Sequence, residues 1–389
     1  MGVNSFMMGF PQFFGRGCAA EAGEKLANFN CKRAFVIYGK GIEALGIPIP
    51  IIKAVETSEI AVITCNKVES DPSDVLIKEM AEIGRHEKVD GIVAIGGGSC
   101  MDAAKCVKLL LDNDEALENF YDVEHPQKSV IPMIAIPTTA GSGSEASKGA
   151  VVTDTQNGIK RVVIGAGTTP ALSLIDPELT TGLPPKVTAA CAFDVLAHAI
   201  DAITSNQTCA ITQSVSYEAI RLMRVNYQKA VENGQDIAAR EGMLLASNLG
   251  GYGIGNAKCS ASHAFAHALG ALYHVPHGEC CAIFTPATLE YVTETCPDQI
   301  RAIAKLLLVD FDETGSAEMI AKLTGEKIRK MYRSVGVNDI TAYITDENEA
   351  IQRLMPVAQK DIMALFSPKP LDDAACEWII KRTFELARS

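Results

Sequence analysis

Four of the chain's seven histidines lie in the segment CSASHAFAHALGALYHVPHGE, and this concentration of imidazoles suggests a metal site. His263 and His267 are four residues apart in an Ala-rich run without proline, so on a helix their side chains point the same way. A second pair at the same spacing, Asp194 and His198, lies upstream. One carboxylate and three imidazoles make a complete donor set for a divalent transition metal.

A turn should bring a further imidazole toward the same pocket. Pro276 should end or interrupt the helix of His263, and Gly278 should let the backbone turn tightly, so that His277 faces the site. A single histidine on an apolar helix is more often a hydrogen-bonded core residue than a ligand, but clustering favours a site. A charged Asp194 buried in so apolar a segment would cost on the order of several kcal/mol unless it were paired or metal-bound.

Cysteines are weaker ligand candidates here. Cys191, Cys259 and Cys280 lie near the histidine-rich segments, but the Asp/His donor set is complete without them. The chain has 12 cysteines with irregular spacing and no CxxC motif, which indicates small buried side chains rather than a disulfide framework.

The composition bounds the class of protein. A chain of 389 residues is long for one hydrophobic core, so we expect two domains. The 47 acidic and 35 basic residues give a net charge of −12, which argues against nucleic acid or an anionic membrane as the main partner. No apolar run approaches the ~18 to 20 residues that span a bilayer, and the N-terminal segment does not resemble a signal peptide, so we expect a cytoplasmic protein.

The secondary-structure pattern changes near Pro184-Pro185. Before it, short β-branched runs alternate with helical segments, which predicts βαβ units and a mainly parallel sheet over residues 1–182. After it, helical periodicity predominates, which predicts an all-helical domain over 183–389. The IPIPII run at 47–52 is interpreted as a loop leading into a helix.

Two glycine-rich loops follow predicted strands. Gly96, Gly97, Gly98 and Ser99 lie directly between an apolar strand and a helix, where backbone amides and the helix N-terminus favour an anion such as a pyrophosphate. The spacing is not GxGxxG, so a structural tight turn is the alternative. The second loop, residues 138–144, is dense in hydroxyls and glycines, and two such loops at the carboxyl ends of parallel strands frame a nucleotide crevice.

At this point the chain resembles the iron-containing (group III) alcohol dehydrogenases. The matching motifs are FGRG at 14–17, GGGSxxDxAK at 96–105, PTTAGSGSE at 137–145, LIDPELT at 174–180, LPPKVTAA at 183–190, FDVLAHAID at 193–201 and HAFAHALGALYHVPHG at 263–278. The resemblance implies a Rossmann-like N-terminal domain and a helical C-terminal domain in a dehydroquinate synthase-like architecture. It also implies a homodimer or larger homo-oligomer.

The resemblance assigns roles to individual residues. It places the metal ligands at Asp194, His198, His263 and His277, and it places His267 beside the nicotinamide as a non-ligand that could relay the alcohol proton. Fe²⁺ is the expected metal, and Zn²⁺ should bind such a site more tightly. The residues expected to line the dinucleotide are Gly96, Gly97, Gly98, Ser99, Asp102, Thr138, Thr139, Ser142, Lys160 and Leu179.

The chain departs from the family pattern after its first long strand. NAD-preferring members tend to carry an acidic residue where this chain has Gly39, and that residue would hold the ribose 2′-hydroxyl. Gly39 leaves room for a 2′-phosphate and Lys40 could pair with it, so NADP(H) is favoured over NAD(H).

We therefore expect a metal-dependent NAD(P)-linked alcohol dehydrogenase or aldehyde reductase. The residues around the metal motifs are mostly uncharged, with Lys258 the main exception, which favours a small uncharged alcohol or aldehyde. The nearest alternative is a polyol or polyol-phosphate dehydrogenase or a related cyclase, which would need basic residues to hold a phosphate or carboxylate. A zinc hydrolase with Glu279 as base, or a structural metal protein, would leave the two nucleotide loops without a role.

Overall fold

The computed structural model describes residues 6–123 and 125–389. These residues form two compact units. One consists of residues 8–139 and 143–182, and the other consists mainly of residues 183–389 together with 140–142.

The first unit is built on a six-stranded parallel sheet with the order β1-β8-β5-β4-β2-β3. Its strands are β1 Gln12–Phe14, β2 Arg33–Tyr38, β3 Ala61–Cys65, β4 Gly91–Gly96, β5 Met133–Pro137 and β8 Leu172–Ile175. The chain places β3 on one side of β2 and then returns to place β4 on the other side. The crossover direction therefore reverses between β2 and β4, and such a switch point creates a crevice at the carboxyl ends of the strands.

Both faces of this sheet are covered. Along β2, Phe35 and Ile37 pack into one hydrophobic cluster while Ala34 and Val36 pack into another, and all four side chains are fully buried. A strand that is buried on both faces needs apolar residues at every position rather than alternation, which explains the run AFVIY. The covering helices are α1 Ala22–Asn28, α2 Lys40–Ala44, α3 Pro48–Thr57, α4 Asp74–Glu87 and α5 Gly98–Asp112.

The helix α3 corrects the sequence interpretation of residues 47–52 as a loop. It begins at Pro48 and includes Pro50 in its first turn. Proline is tolerated there because the first amides of a helix have no intrahelical acceptor, so no hydrogen bond is lost. The predicted helix after Ser73 is confirmed, and the Ser73 hydroxyl caps it by accepting from the Leu76 amide at 3.2 Å.

An antiparallel hairpin, β6 Gly149–Asp154 and β7 Ile159–Ile164, is attached to the sheet unit. The sequence analysis did not identify it. Arg161 stabilises the hairpin by pairing with Asp154 across it and with Asp122 outside it.

The second unit contains helices throughout its described length. They are α6 Pro185–Thr204, α7 Ala210–Glu232, α8 Ile237–Ala257, α9 Ala261–Tyr273, α10 His277–Tyr291, α11 Pro297–Leu306, α12 Ala317–Ser334, α13 Glu347–Lys360 and α14 Asp373–Arg388. The predicted fold class, a mainly parallel α/β part followed by a helical part, is therefore confirmed.

Helix α6 is the central apolar helix of this unit. By length and composition it could cross a membrane, contrary to the expectation that no segment approaches that length. However, 89% of its most apolar window is buried inside the protein, as in the core helices of globular proteins.

The break between α9 and α10 differs from the predicted turn. Helix α9 ends at Tyr273, His274 adopts a left-handed conformation, and Pro276 precedes α10, whose first residue is His277. Gly278 therefore lies inside α10 and makes no turn. Its missing side chain instead permits close helix packing, because an added Cβ would lie 2.1 Å from the Ala190 carbonyl oxygen of α6.

We expect Gly278→Ala to destabilise the protein by about 1 to 3 kcal/mol, because backbone atoms must move to admit the methyl group. Thermal or denaturant unfolding measures this. Gly41→Ala is the matched control, since a Cβ there meets no described atom within 4 Å, and it should be at least as stable as the parent because alanine favours the helix α2. Equal stability of the two variants would contradict the packing role of Gly278.

Candidate active site

Three helices of the second unit converge on one group of donor atoms. Asp194 and His198 lie on α6, His263 lies on α9, and His277 begins α10. One donor atom from each of the four side chains lies within 4.8 Å of all the others. The structure thus brings together the four predicted metal ligands from three separate helices.

The donor spacing fits a metal ion. Ligands at ~2.1 Å from a tetrahedral ion are about 3.4 Å apart. Asp194 Oδ1 lies 3.5 Å from His198 Nε2, 3.8 Å from His263 Nε2 and 3.5 Å from His277 Nε2. A carboxylate and three imidazoles suit Fe²⁺ or Zn²⁺, so this donor set fits the expected ion.

Asp194 is buried, yet its carboxyl group favours the charged form. Burial raises the pKa of this group, but the imidazoles of His198 and His277 and the hydrogen bond from His263 outweigh burial and hold the pKa below its usual range. The carboxylate therefore remains ionised among the three imidazoles. Such an anion is the strongest attraction for a divalent cation at this point.

Asp201 holds one of the imidazoles in place and was missed by the sequence analysis. His263 Nδ1 donates to Asp201 Oδ2 at 2.8 Å, which leaves Nε2 for the metal group, and the Ser260 amide donates to the same oxygen at 2.8 Å. Carboxylate partners of this kind fix the ring and tautomer of a metal-binding histidine. The helical spacing of Asp201 from Asp194 and His198, on one face of α6, was the available signal.

His267 is not part of the four-residue group. Its Nδ1 donates to Asp361 Oδ2 at 2.8 Å, and Asp361 also caps the short helix that follows it by accepting from the Met363 amide. The His267 ring stacks on His277 with centroids 5.5 Å apart, so it lies beside the metal group. Asp361 is 94 residues away in sequence, and no sequence pattern indicated it.

The structure shows which cysteines lie near the metal group, and one of them was not among those suggested by the sequence. Cys191, Cys259 and Cys280 are outside the four-residue group, and the Cys280 thiol instead donates to the Val275 carbonyl at 3.4 Å. Cys281, which the sequence analysis did not name, has its Sγ 3.7 Å from His263 Nε2. His274 is exposed in the described structure.

The first glycine loop of the sheet unit has the geometry of an anion site. Gly97 is the N-cap of α5 and provides no side-chain cap, so the first amides of this helix are available to an anion. A Cβ on Gly97 would lie 3.0 Å from the Thr139 hydroxyl, so the two predicted loops are adjacent. Thr138 is fully buried and its hydroxyl lacks a partner among the described residues, which favours a hydrogen bond to a ligand.

The side chains of Asp102 and Lys105 form hydrogen bonds with the end of the second loop and with strand β6. Asp102 accepts from the Ser144 hydroxyl at 2.8 Å and from the Val151 amide at 3.1 Å. Lys105 is fully buried and donates to the carbonyls of Ser144 and Gly149, at 2.8 and 2.7 Å. Burial lowers the pKa of Lys105 to about 8. The sequence analysis gave Lys105 no role, and in the structure both side chains hold the second loop. The predicted contact of Asp102 with a dinucleotide stays a prediction.

The loop after β2 borders a cavity of about 490 Å³ in the sheet unit. Lys40, Lys67, Glu69 and Asp71 contribute to its lining. Gly39 lies beside it, and a Cβ on Gly39 would lie 2.6 Å from the Val68 carbonyl oxygen. A glycine is therefore required here by the backbone packing, whichever cofactor binds.

The remaining residues that were predicted to line the dinucleotide each have different neighbours in the structure. Lys160 on β7 pairs with Asp71 at 2.7 Å, and Leu179 packs against the hydrophobic cluster of the sheet. Ser99 accepts from the Asp71 amide at 3.3 Å. Ser142 lies in the 140–142 segment, which groups with the helical unit. Their contacts with a dinucleotide stay a prediction.

Two family descriptions match the chain in succession. The description "Iron-containing alcohol dehydrogenase" matches residues 11–177, and "Fe-containing alcohol dehydrogenase family, C-terminal" matches residues 188–384. The chain belongs to the iron-containing alcohol dehydrogenase family. It is therefore an oxidoreductase, and the resemblance seen in the sequence motifs is confirmed.

Characterised relatives and solved structures agree with this placement. The chain is 33% identical to choline dehydrogenase of Bacillus subtilis strain 168, over 96% of this chain and 93% of that protein. It is 32% identical to alcohol dehydrogenase 4 of Schizosaccharomyces pombe, over 95% and 86% of the two chains. The crystal structure of a 1,3-propanediol oxidoreductase superposes with a TM-score of 0.93 at 28% identity, covering 98% of this chain and 100% of that one.

Membership in the iron-containing alcohol dehydrogenases supports iron and a nicotinamide cofactor for this chain. The metal group described above supplies suitable donors for the iron. The ligand role of each residue, the homo-oligomeric state and the cytoplasmic location stay predictions.

Asp201→Asn and Asp361→Asn should separate metal retention from turnover. We expect Asp201→Asn to weaken metal binding roughly 10- to 100-fold, because the asparagine does not fix the His263 tautomer. Asp361→Asn should retain metal and lower kcat, since it loosens His267 alone. Competition with a chelator measures metal affinity, and steady-state kinetics on the metal-loaded proteins measures turnover.

Each variant is the control for the other, and both proteins should be compared by thermal unfolding. Undiminished metal affinity in Asp201→Asn would show that Asp201 does not support the site. A loss of metal from Asp361→Asn would show that His267 is coupled to the ligands rather than separate from them.

Proposed function

We propose that this chain is a metal-dependent, NAD(P)-linked alcohol dehydrogenase or aldehyde reductase, which transfers hydride between a nicotinamide and a small uncharged alcohol or aldehyde. The Asp194, His198, His263 and His277 group, in which the first three side chains are buried, carries the proposal, because its donor types and spacing fit a divalent metal ion. The chain's similarity to alcohol dehydrogenases over nearly its whole length supports the reaction class.

The four side chains would hold the ion with one carboxylate and three neutral imidazoles. When bound, a divalent cation supplies Lewis acidity, which polarises a carbonyl or lowers the pKa of an alcohol. Because the donor set carries only one negative charge, it would leave one of the cation's two positive charges uncompensated. Burial of Asp194 and His263 keeps competing water away from this charge.

His267 is suited to move the substrate proton. Since Asp361 accepts the Nδ1 proton, the neutral imidazole has a free electron pair at Nε2 and can receive a proton there. The Asp361 carboxylate would then stabilise the imidazolium cation. This pair supplies acid and base chemistry without using a metal ligand.

The helical unit favours an uncharged substrate. Of its two buried arginines among the described residues, Arg240 donates to the Thr188 hydroxyl and to the carbonyls of Leu183 and Gly234, and Arg329 pairs with Asp339. Lys186 lies 3.4 Å from the buried Glu279 carboxylate. Since these cations have partners in the protein, they are poorly placed to hold a phosphate, which argues against the polyol-phosphate and cyclase alternatives.

We further propose that NADP(H) is preferred over NAD(H). Lys40 and Lys67 both line the cavity beside the switch point, and Lys40 forms no ion pair among the described residues. Of the two lining carboxylates, Asp71 is compensated by Lys160. Lys67 is itself paired with Glu79 at 2.9 Å, and Glu69 is the remaining acidic group, so the preference depends mainly on Lys40.

The reaction class is tested with Fe²⁺-loaded protein handled without oxygen. We expect oxidation of NADPH in the presence of short aldehydes, and loss of that activity after chelation and its return on adding Fe²⁺. A Zn²⁺-loaded sample tests the choice of metal. Failure of every short aldehyde with both nicotinamides, in protein shown to contain stoichiometric metal, would contradict the proposal.

The cofactor preference is tested by Lys40→Ala rather than by changing Gly39, because any side chain at Gly39 would collide with the Val68 carbonyl. Removing an exposed charge that contacts a 2′-phosphate should cost about 1 kcal/mol, so the NADPH to NADH ratio of kcat/KM should fall roughly fivefold. The effect should shrink at high ionic strength.

Lys53→Ala, an exposed lysine on α3 that does not line the cavity, is the control and should leave the ratio unchanged. A parent ratio below one would refute the NADP(H) preference directly. An unchanged ratio in Lys40→Ala would remove the role of this lysine.

A further inference from the structure

Cys281 lies one helical turn after His277 on α10, and its thiol is directed at the metal group. Its Sγ is 3.7 Å from Asp194 Oδ1, 3.7 Å from His263 Nε2 and 3.7 Å from His277 Nε2. The side chain is completely buried. A sulfur equidistant from three donor atoms lies over the triangle that those atoms form.

These distances match those of a metal site that includes the sulfur. A tetrahedral ion with sulfur at ~2.3 Å and nitrogen at ~2.1 Å places these two ligands about 3.6 Å apart. The three distances from Cys281 agree with this value, and Asp194 Oδ1 is 3.8 and 3.5 Å from the nitrogens of His263 and His277. Asp194, His263 and His277 therefore have two candidates for a fourth donor, His198 and Cys281.

The imidazoles of His198 and His263 differ in how firmly the protein holds them. His198 Nδ1 is buried and has no hydrogen-bond partner among the described residues, whereas His263 Nδ1 is fixed by Asp201 at 2.8 Å. The Cys259 thiol contacts His198, but no carboxylate of the described residues fixes its Nδ1, so the ring of His198 is less constrained than that of His263. His198 is therefore the donor that the alternative set omits.

We propose that Asp194, His263, His277 and Cys281 form a second, softer metal-binding set, which takes thiophilic divalent cations such as Cd²⁺ or Zn²⁺ with Cys281 in place of His198. Soft thiolate donors select such ions over Fe²⁺, which the Asp/His₃ set accommodates. On binding, the Cys281 thiol loses its proton to solvent as the sulfur to metal bond forms. This inference rests on the proposed function only in sharing three residues with its metal site.

The softer set has a consequence for the charge at the site. Asp194 and a Cys281 thiolate together carry two negative charges, which neutralise a divalent cation, whereas the Asp/His₃ set carries one. A cation held through Cys281 is therefore a weaker Lewis acid. Thiophilic metals should occupy the protein without supporting the turnover that Fe²⁺ supports.

The experiment is titration of metal-free, full-length protein with Cd²⁺, followed by near-ultraviolet absorbance. The parent should develop a thiolate-to-cadmium charge-transfer band that saturates at one equivalent. Cys281→Ser should lose the band and bind Cd²⁺ roughly tenfold or more weakly, because a hydroxyl is a poor ligand for this ion. A parent without the band, or a Cys281→Ser protein that keeps it, would overturn the proposal.

Two further variants sharpen the assignment. Cys280→Ser is the matched control, because this neighbouring thiol is buried on the same helix but donates to the Val275 carbonyl, and it should keep the band. His198→Ala should also keep the band, since Cys281 replaces this imidazole in the softer set. Loss of the band in His198→Ala, or its loss in Cys280→Ser, would contradict the arrangement.

X-ray absorption at the cadmium edge tests the parent protein without any substitution. One sulfur neighbour is expected, and none or two would overturn the proposal. These readouts are independent of turnover. An active Fe²⁺ enzyme with no cadmium to sulfur bond would refute the softer set alone, while a cadmium to sulfur bond in a protein inactive with Fe²⁺ would refute only the proposed function.

Discussion

The buried carboxylate of Asp194 is the constraint on which the helical unit depends. A lone charge in so apolar a helix as α6 would be strongly destabilising, and the neighbouring imidazoles compensate it only if α9 and α10 approach closely. Gly278 permits that approach, because any larger residue would strike the α6 backbone at Ala190. Helix packing and metal chemistry are therefore parts of one arrangement, since the same contacts that bury Asp194 bring His263 and His277 to it.

The side chains behind the site give its histidines different degrees of order. Asp201 fixes His263 and Asp361 fixes His267, while His198 has no partner at Nδ1 in the described part of the chain. A carboxylate behind an imidazole fixes its tautomer, so these contacts decide which ring nitrogen faces the site. The imidazoles of His263 and His267 are thus held by carboxylates, whereas that of His198 is less constrained.

The four residues of the metal group could be predicted from the sequence because Asp194 and His198 lie one helical turn apart and His263 and His277 fall in one histidine-rich segment, but the different contacts of His263 and His267 could not. His263 and His267 point from the same face of α9, and they differ in their carboxylate partners, Asp201 and Asp361. The resemblance to a family supplied that distinction, and spacing alone did not. Parallel strands were similarly predictable, because strands buried on both faces carry uninterrupted apolar runs.

Two of the wrong predictions have the same physical cause. Glycine and proline each occur in several kinds of local structure, and only the packing around them shows which kind is present. Pro48 and Pro50 suggested a loop, yet proline is equally suited to a helix's first turn. Gly278 suggested a turn, yet its small size serves the contact between two helices. The hairpin of β6 and β7 was missed because its strands are short and partly polar, so they lack the pattern of the buried sheet.

Gly39 likewise has two explanations, one from the cofactor and one from backbone packing. The absence of an acidic residue there suggests NADP(H), but the Val68 carbonyl excludes any side chain at this position of the present backbone. The glycine is therefore explained by packing and carries no independent information about the cofactor. The argument for a 2′-phosphate must come from charge in the neighbouring cavity, where Lys40 opposes Glu69 while Lys67 is paired with Glu79. The proposed cofactor preference therefore depends on exposed side chains, whose individual interactions are weak, rather than on the room that Gly39 was expected to leave for a 2′-phosphate.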